Sequence, residues 1–224
     1  MRIWHISDTH GYHDQLVLPK DIDLIVHTGD CSNSKIPALN EPEVYRFIEW
    51  YSKFDCLKIY CPGNHDTSIE HGLIKSTDFT NRNIMYLENE SIILDNIKFT
   101  AIPYIPTFGT GWAFMKARNK INRVWDTIDD DTNVLLTHGP PKGILDLTEN
   151  RDYSLEQCGD GALYKKIQKL PNLTHNLFGH LHSFKTCINH GIFQHNGRIY
   201  SNACVLEDGR FEKGVIFNGN IIEI

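Results

Sequence analysis

The sequence predicts an α/β fold, and three observations carry that class. Brief apolar runs of strand length recur through the first two thirds of the chain, amphipathic helical patterns separate some of them, and the last forty or so residues break into short strands divided by glycine turns. No Gly/Ser/Pro linker, internal repeat or low-complexity tract interrupts the 224 residues, so a single domain over 1–224 is expected.

Arg2 to Ile6, Leu24 to His27, Leu57 to Cys61 and Val134 to Thr137 are short continuous apolar runs, as expected of strands buried on both faces of a sheet. Between the second and third, Val44, Phe47, Ile48 and Tyr51 recur at helical spacing. They predict a helix over Glu41 to Phe54, with Asn40 as N-cap and Pro42 near its start. Ser91 to Leu94 and Ile97 to Ala101, split by Asp95-Asn96, predict a hairpin. A second helix is expected from Asp160 to Leu170, where Leu163, Ile167 and Leu170 share a face and Pro171 follows, leading into a strand at Asn176 to Phe178. Strands at Ile192 to Gln194, Arg198 to Ser201, Val215 to Phe217 and Ile221 to Ile224, separated by Asn-Gly and Asp-Gly signals, predict an antiparallel meander.

Composition narrows the function. With 41% hydrophobic and 22% charged residues the chain can bury a sizeable core, and its net charge of −6 lacks the positive field that drives binding to long nucleic acids. The six cysteines include no C-x-x-C pair, the opening MRIWHISDTHG has no apolar run of export-signal length, and no stretch approaches a membrane span. A cytoplasmic protein without membrane contact is expected.

Five of the predicted strands end in the same kind of residue: Asp8-Thr9-His10-Gly11, Gly29-Asp30, Gly63-Asn64-His65-Asp66, His138-Gly139 and Gly179-His180-Leu181-His182. Ligands in open α/β sheets bind beyond the carboxyl ends of the strands, so these groups are expected at one rim. Their donors are carboxylate, imidazole and amide without thiolate, which suits Mn, Fe, Zn, Co or Mg at a hydrolytic centre better than a structural zinc site. Asp30, with two carboxylate oxygens, can bridge two ions. The donors then divide into Asp8, His10, Asp30 and His182 for one ion, and Asp30, Asn64, His138 and His180 for the other. His5, His13, His27, His71, His175, His190 and His195 fall outside these motifs and are expected to be structural, with His13 the nearest to an exception.

In order, D-x-H, G-D, G-N-H-D, a strand-final H-G and G-H-x-H resemble the signature of the calcineurin-like metallophosphoesterases over residues 8 to 182. Thr137 to Asp146, followed by Cys158-Gly159, is similar to the branch holding the brain-expressed metallophosphoesterase-domain proteins and, more distantly, class III cyclic nucleotide phosphodiesterases. Some animal members of that branch have glycine at the position of His180. The resemblance implies two packed mixed β-sheets flanked by helices, a four-layer sandwich. It also implies two divalent ions, Mn foremost, that activate a hydroxide against a phosphoester. His65 would then be a catalytic acid or charge stabiliser that, with Asn64, meets the substrate. Asp66 would assist catalysis by orienting His65 or a ligand.

The function expected is phosphodiester hydrolysis on a small nucleotide, a cyclic nucleotide among the candidates. A nuclease, a phosphomonoesterase and a weakly active nucleotide-binding scaffold are the alternatives. Protein phosphatases of this superfamily extend the second motif to G-D-x-x-D-R-G, whereas this chain reads Gly29-Asp30-Cys31-Ser32-Asn33-Ser34-Lys35. Phe108 to Phe114, rich in glycine and aromatics, reads as a turn whose aromatics plug the core, or else as a loop that stacks a base. Lys116, Arg118, Lys120 and Arg123 read as a solvated helix face.

Overall fold

Strands whose side chains are apolar on both faces need a layer on each side, and this chain supplies four layers. The computed structural model describes residues 1–150, 152, 154–208 and 213–224. In chain order the strands and helices run β1 (Arg2–Ile6), β2 (Leu24–His27), α1 (Pro37–Tyr51), β3 (Leu57–Tyr60), α2 (Thr67–Glu70), α3 (Ser76–Thr80), β4 (Met85–Tyr86), β5 (Glu90–Leu94), β6 (Ile97–Ile102), β7 (Ile105–Pro106) and β8 (Met115–Lys116). They continue with α4 (Asn122–Trp125), β9 (Val134–Thr137), β10 (Leu147–Glu149), β11 (Leu155–Gln157), α5 (Gly161–Ile167), β12 (His175–Phe178), β13 (Gly191–His195), β14 (Arg198–Asn202) and β15 (Asn220–Glu223).

One sheet has the order β15-β1-β2-β3-β4 and the other β13-β14-β12-β9-β6-β5, with the smaller pairs β7-β8 and β10-β11 apart from both. Both main sheets are mixed: β1, β2, β3 and β4 are parallel with β15 antiparallel, and β14, β12, β9 and β6 are parallel with β13 and β5 antiparallel. Between the sheets, Ile3, Leu24, Val26 and Ile59 of the first meet Phe99, Ala101, Val134, Leu136 and Leu177 of the second. The outer face of the first sheet packs Trp4, Ile25 and Tyr60 against Phe47, Ile48 and Tyr51 of α1, and that of the second packs Leu135 and Tyr200 against Leu163 and Ile167 of α5. The helix–sheet–sheet–helix sandwich is therefore present.

Three local expectations need correction. The first helix begins at Pro37 rather than Glu41, because Pro37 sets a helical φ at the first position and the N–H groups of Leu39 and Asn40 both reach the Ile36 carbonyl. Asn40 is thus inside the helix and is no cap; its side chain is buried and bonded elsewhere. Second, Val215 to Phe217 forms no strand: the N–H groups of Ile216 and Phe217 converge on the single Val205 carbonyl. Third, the C-terminal strands are not a meander. The Asn196-Gly197 turn, both residues at positive φ, joins the β13–β14 hairpin as expected, but β14 lies parallel to β12 and β15 crosses to the other sheet beside β1. Local turn signals say nothing about such distant pairings. Of the Asp208-Gly209 signal, Gly209 lies outside the described residues.

Candidate metal centre

The carboxyl ends of β1, β2 and β3 in one sheet meet those of β9 and β12 in the other, and the loops there are stitched by backbone hydrogen bonds. The Asp8 N–H reaches the Gly29 carbonyl, the Gly179 N–H reaches the His138 carbonyl, and the Ser7 N–H reaches the Ala203 carbonyl, at 2.9, 2.9 and 3.0 Å. The turns are tight enough to demand glycine. Gly29 sits at φ 102°, and a Cβ there would come within 2.6 Å of the Gly63 backbone, so these two loops touch main chain to main chain. Four of the seven expected ligand residues also hold left-handed φ values: Asp8 (56°), His10 (43°), Asp30 (60°) and His180 (69°). Such angles cost non-glycine residues on the order of 1–3 kcal/mol each and persist only where the surroundings impose them.

All seven expected ligands arrive at one place. Asp8, His10 and His182 place ligand atoms within 4.8 Å of one another, as do Asp30, His138 and His180. In the first group the Nε2 atoms of His10 and His182 face each other at 3.3 Å, and Asp8 Oδ1 lies 3.9 and 3.5 Å from them. In the second, His138 Nε2 is 3.3 Å from Asp30 Oδ2 and 2.9 Å from Asn64 Oδ1. Asp30 Oδ2 also lies 4.0 Å from His10 Nε2, so a single oxygen adjoins both groups. The other oxygen, Oδ1, accepts the His65 backbone N–H at 2.6 Å, which fixes the carboxylate's orientation.

The partners of these side chains fit divalent cations. A carbonyl can only accept, so the Nδ1 atoms of His10, His182 and His138, which adjoin the carbonyls of Ser32, Leu206 and Thr28 at 3.1, 3.1 and 2.8 Å, carry the protons. Each ring then turns Nε2 toward the centre, the tautomer a metal-bound histidine requires. Asp8 Oδ2 accepts from Ser7 Oγ, the His180 N–H and the Cys204 thiol, whereas Oδ1 is buried with no hydrogen-bond partner. A buried carboxylate oxygen facing two imidazole acceptors calls for a cation. Two ions, one per group, fit this donor set.

Charge in the centre is strongly coupled. Burial is the largest influence on His138 and opposes its charged form, but the Asp30 carboxylate outweighs it and raises the ring to about 9. Burial also disfavours the Asp30 carboxylate, yet His138 and then His65 hold it well below the usual carboxylate range. Burial, reinforced by the His138 charge, lowers His180 to about 3, and burial likewise drives His10 well below its ordinary value. His138 therefore holds the proton that a metal ion would displace.

His65 lies at the edge of the centre. Its Nδ1 is 3.0 Å from the Asn33 carbonyl, and its ring lies between His10 and Trp112, with centroids 4.5 and 4.2 Å away. Its ligand-capable atom also groups with those of His10 and Asp30. Of the two roles expected of Asp66, orienting His65 or a ligand, the geometry agrees with the second, because Asp66 accepts the Asp30 N–H. Its fully buried carboxylate takes the N–H groups of Asp30 and Gly63 and the Tyr60 hydroxyl on Oδ2, and the Cys31 N–H and Ser32 hydroxyl on Oδ1, without touching the His65 ring. Asp66 is a positioning residue that ties the loop after β2 to the loop after β3.

Two contributors were not expected from sequence. Asn40 donates to the carbonyls of Ser34 and His65 and accepts from Ser68, binding α1 to the His65 loop, and Cys204 donates to Asp8. Cys204 follows β14, a strand that carries no G-D or G-H motif; the parallel pairing of β14 with β12 and the isolated pairing of Ser7 with Cys204 bring it here. His13 packs on Phe47 and Trp50 away from the centre. The Phe108 to Phe114 segment divides: Phe114 is buried as a core plug, but Phe108 is 55% exposed and Trp112 covers His65.

Comparison with known proteins identifies the family and agrees with the fold. A family model described as calcineurin-like phosphoesterase matches residues 1–184. A UPF0046 protein of Caenorhabditis elegans is 27% identical over 93% of this chain and 71% of its own length. Human metallophosphoesterase domain-containing protein 1 is 25% identical over 89% of this chain, which spans 64% of that relative. Among solved structures, the TT1561 protein of Thermus thermophilus superposes with a TM-score of 0.57 at 12% identity over 91% of this chain and 88% of its own. A 5'-nucleotidase precursor of the same organism does so at 0.50 and 11% identity, over 92% of this chain and 49% of its own. At such identities these two speak for the fold alone. With the family model spanning most of its length, the chain belongs to the calcineurin-like phosphoesterase family.

Proposed function

We propose that this protein is a dinuclear metal-dependent phosphodiesterase acting on small nucleotides, cyclic nucleotides among them, with Mn²⁺ as its preferred ion. The observation that carries the proposal is Asp30 Oδ2, which adjoins His138 at 3.3 Å and His10 at 4.0 Å and so belongs to both ligand groups. Asp8, His10, Asp30 and His182 would hold one ion, and Asp30, Asn64, His138 and His180 the other. The ions would supply Lewis acidity, acidifying a water and polarising the phosphoryl group. The chain's own residues do the rest. The Asn33 carbonyl accepts a hydrogen bond from His65 Nδ1–H and aims the ring, and the imidazolium form of His65 would give its Nε2 proton to the departing oxygen, leaving the neutral ring with its Nδ1 proton. The Asn64 side chain, with its oxygen 2.9 Å from His138, would offer its amide N–H groups to a phosphoryl oxygen of the substrate.

The acidic net charge of −6 favours small substrates over long polyanions. Among the described residues no helix is long and apolar enough to cross a membrane, and all six cysteines are free thiols, which supports a reducing, cytoplasmic setting. The test is a panel of cyclic nucleotides, linear dinucleotides, mononucleotides and DNA, assayed with Mn²⁺ and with chelator. Metal-dependent hydrolysis of the small diesters above all others is expected. Preferred cleavage of DNA or of mononucleotides would overturn the substrate class, and full activity in verified metal-free protein would overturn the metal mechanism.

A further inference from the structure

Beside the metal centre lies a cleft of about 250 Å³ walled by Tyr104, Pro106, Phe108, Pro140, Leu163 and Leu181, and His180 of the centre also lines it. A ligand with its phosphoester at the centre would therefore send one substituent past His180 into an apolar slot. Phe108 flanks this passage, its ring centroid 5.5 Å from that of His180. Over half exposed, Phe108 adds little to the core, so its position there is unexplained by packing. The loop that carries it is anchored: the Ala113 N–H reaches the Asn64 carbonyl at 2.9 Å and the Phe114 N–H reaches Glu70 at 2.8 Å. The aromatic wall is thus tied to the same residue that adjoins His138.

The polar groups of the cleft narrow the occupant. Asp160 has both oxygens engaged, by the Trp125 indole N–H at 2.8 Å and the Ala162 N–H at 2.7 Å, so its carboxylate serves the cap of α5. Arg118 also lines the cleft and offers guanidinium donors. The volume is small beside the roughly 300–1,000 Å³ of sites for drug-sized ligands, and so suits one ring system rather than a chain of nucleotides. A flat, largely apolar ring with acceptor atoms at its edge meets all three features.

We propose that this cleft binds the nucleobase of the substrate, stacked on Phe108 with an edge acceptor toward Arg118. The proposal rests on the phosphoesterase reading above, and its test is chosen to be independent of hydrolysis. Adenosine, which carries no phosphate, is titrated calorimetrically into chelator-treated protein, alongside benzyl alcohol as a simple aromatic alcohol. The wild type is expected to bind adenosine. Phe108→Ala should weaken that binding about tenfold, the scale of one lost base–aromatic stack. Thr148→Trp, on the partly exposed strand β10 that also lines the cleft, should abolish it by filling the space. Circular dichroism and melting confirm that each variant is folded.

Adenosine binding that is absent in the wild type, or unchanged in both folded variants, overturns the proposal. Benzyl alcohol binding the cleft as tightly as adenosine overturns the nucleobase assignment in favour of aromatic rings in general. Adenosine bound in the cleft by a protein that hydrolyses no ester supports the cleft assignment while overturning the hydrolytic reading, so the two failures are distinguishable.

Discussion

Asp30 uses its two carboxylate oxygens differently, one held by the His65 N–H at 2.6 Å and the other turned toward both histidine groups. Asp30→Ala should consequently lose more activity than any other single ligand change. Elemental analysis should find both ions depleted, whereas His182→Ala should deplete one. Near-normal turnover in Asp30→Ala would mean that the centre lies elsewhere. His65 separates chemistry from metal binding. His65→Ala should retain both ions while kcat falls by about 10²–10⁴, the usual worth of general acid catalysis. The loss should shrink for esters with a nitrophenolate leaving group, which departs without a proton. Equal losses across leaving groups would point to charge stabilisation at phosphorus, and a missing ion would make His65 a ligand. The ligand candidates were legible because each follows a buried strand and carries a recognisable donor. The role of Asp66 was legible only as two alternatives, orienting His65 or a ligand, because adjacency in sequence does not say where a side chain turns; the carboxylate faces Tyr60 and the Asp30 N–H on the loop after β2.

At the scale of elements, β1, β2, β3, β9 and β12 were legible to within a residue or so because burial on both faces leaves an unbroken apolar run, whereas the two-residue β4 left no such mark. The C-terminal strands were only half legible, since a hairpin advertises itself by its turn but a crossing between sheets leaves no local mark. Helix α1 shows the same limit. Its amphipathic spacing was plain, but not that Asn40 in its first turns would be the joint between the helix and the His65 loop. Asn40→Ala removes donors from the Ser34 and His65 carbonyls and an acceptor from Ser68. Buried groups left unsatisfied cost about 1–3 kcal/mol each, with part recovered by water. A loss of about 2–3 kcal/mol is expected in urea unfolding. kcat should fall further than metal content, because the His65 loop rather than a ligand has been loosened. An unchanged unfolding midpoint would show that α1 does not depend on this joint.

Across the whole molecule, the two sheets share a polar seam as well as an apolar core. His5 on β1 lies 2.8 Å from Ser201 on β14 and 3.0 Å from Thr28, fully buried. Burial first, and the nearby His190 second, lower it to about 3. Unfolded histidine titrates near 6.5, so between that value and about 3 the unfolded chain binds one more proton than the native one. Stability therefore rises with pH through this window and is lost as pH falls through it. Between pH 7 and pH 5, His5 alone should account for about 2 kcal/mol. Urea unfolding of the chelator-treated protein should show this loss, and a His5→Gln variant should show it reduced by that amount. Equal pH slopes in the two proteins would refute the assignment. The pairing of β1 with β15, Arg2 opposite Glu223, bears on the order of events at the ribosome. Strand β1 waits for β15, which is synthesised much later, to cover its edge. Until then β1 offers the nascent chain an open row of N–H and C=O groups, the kind that recruits other strands. Emergence of β15 from the exit tunnel should thus be the step that covers this edge of the first sheet, and chaperone occupancy on stalled nascent chains should persist until β15 emerges.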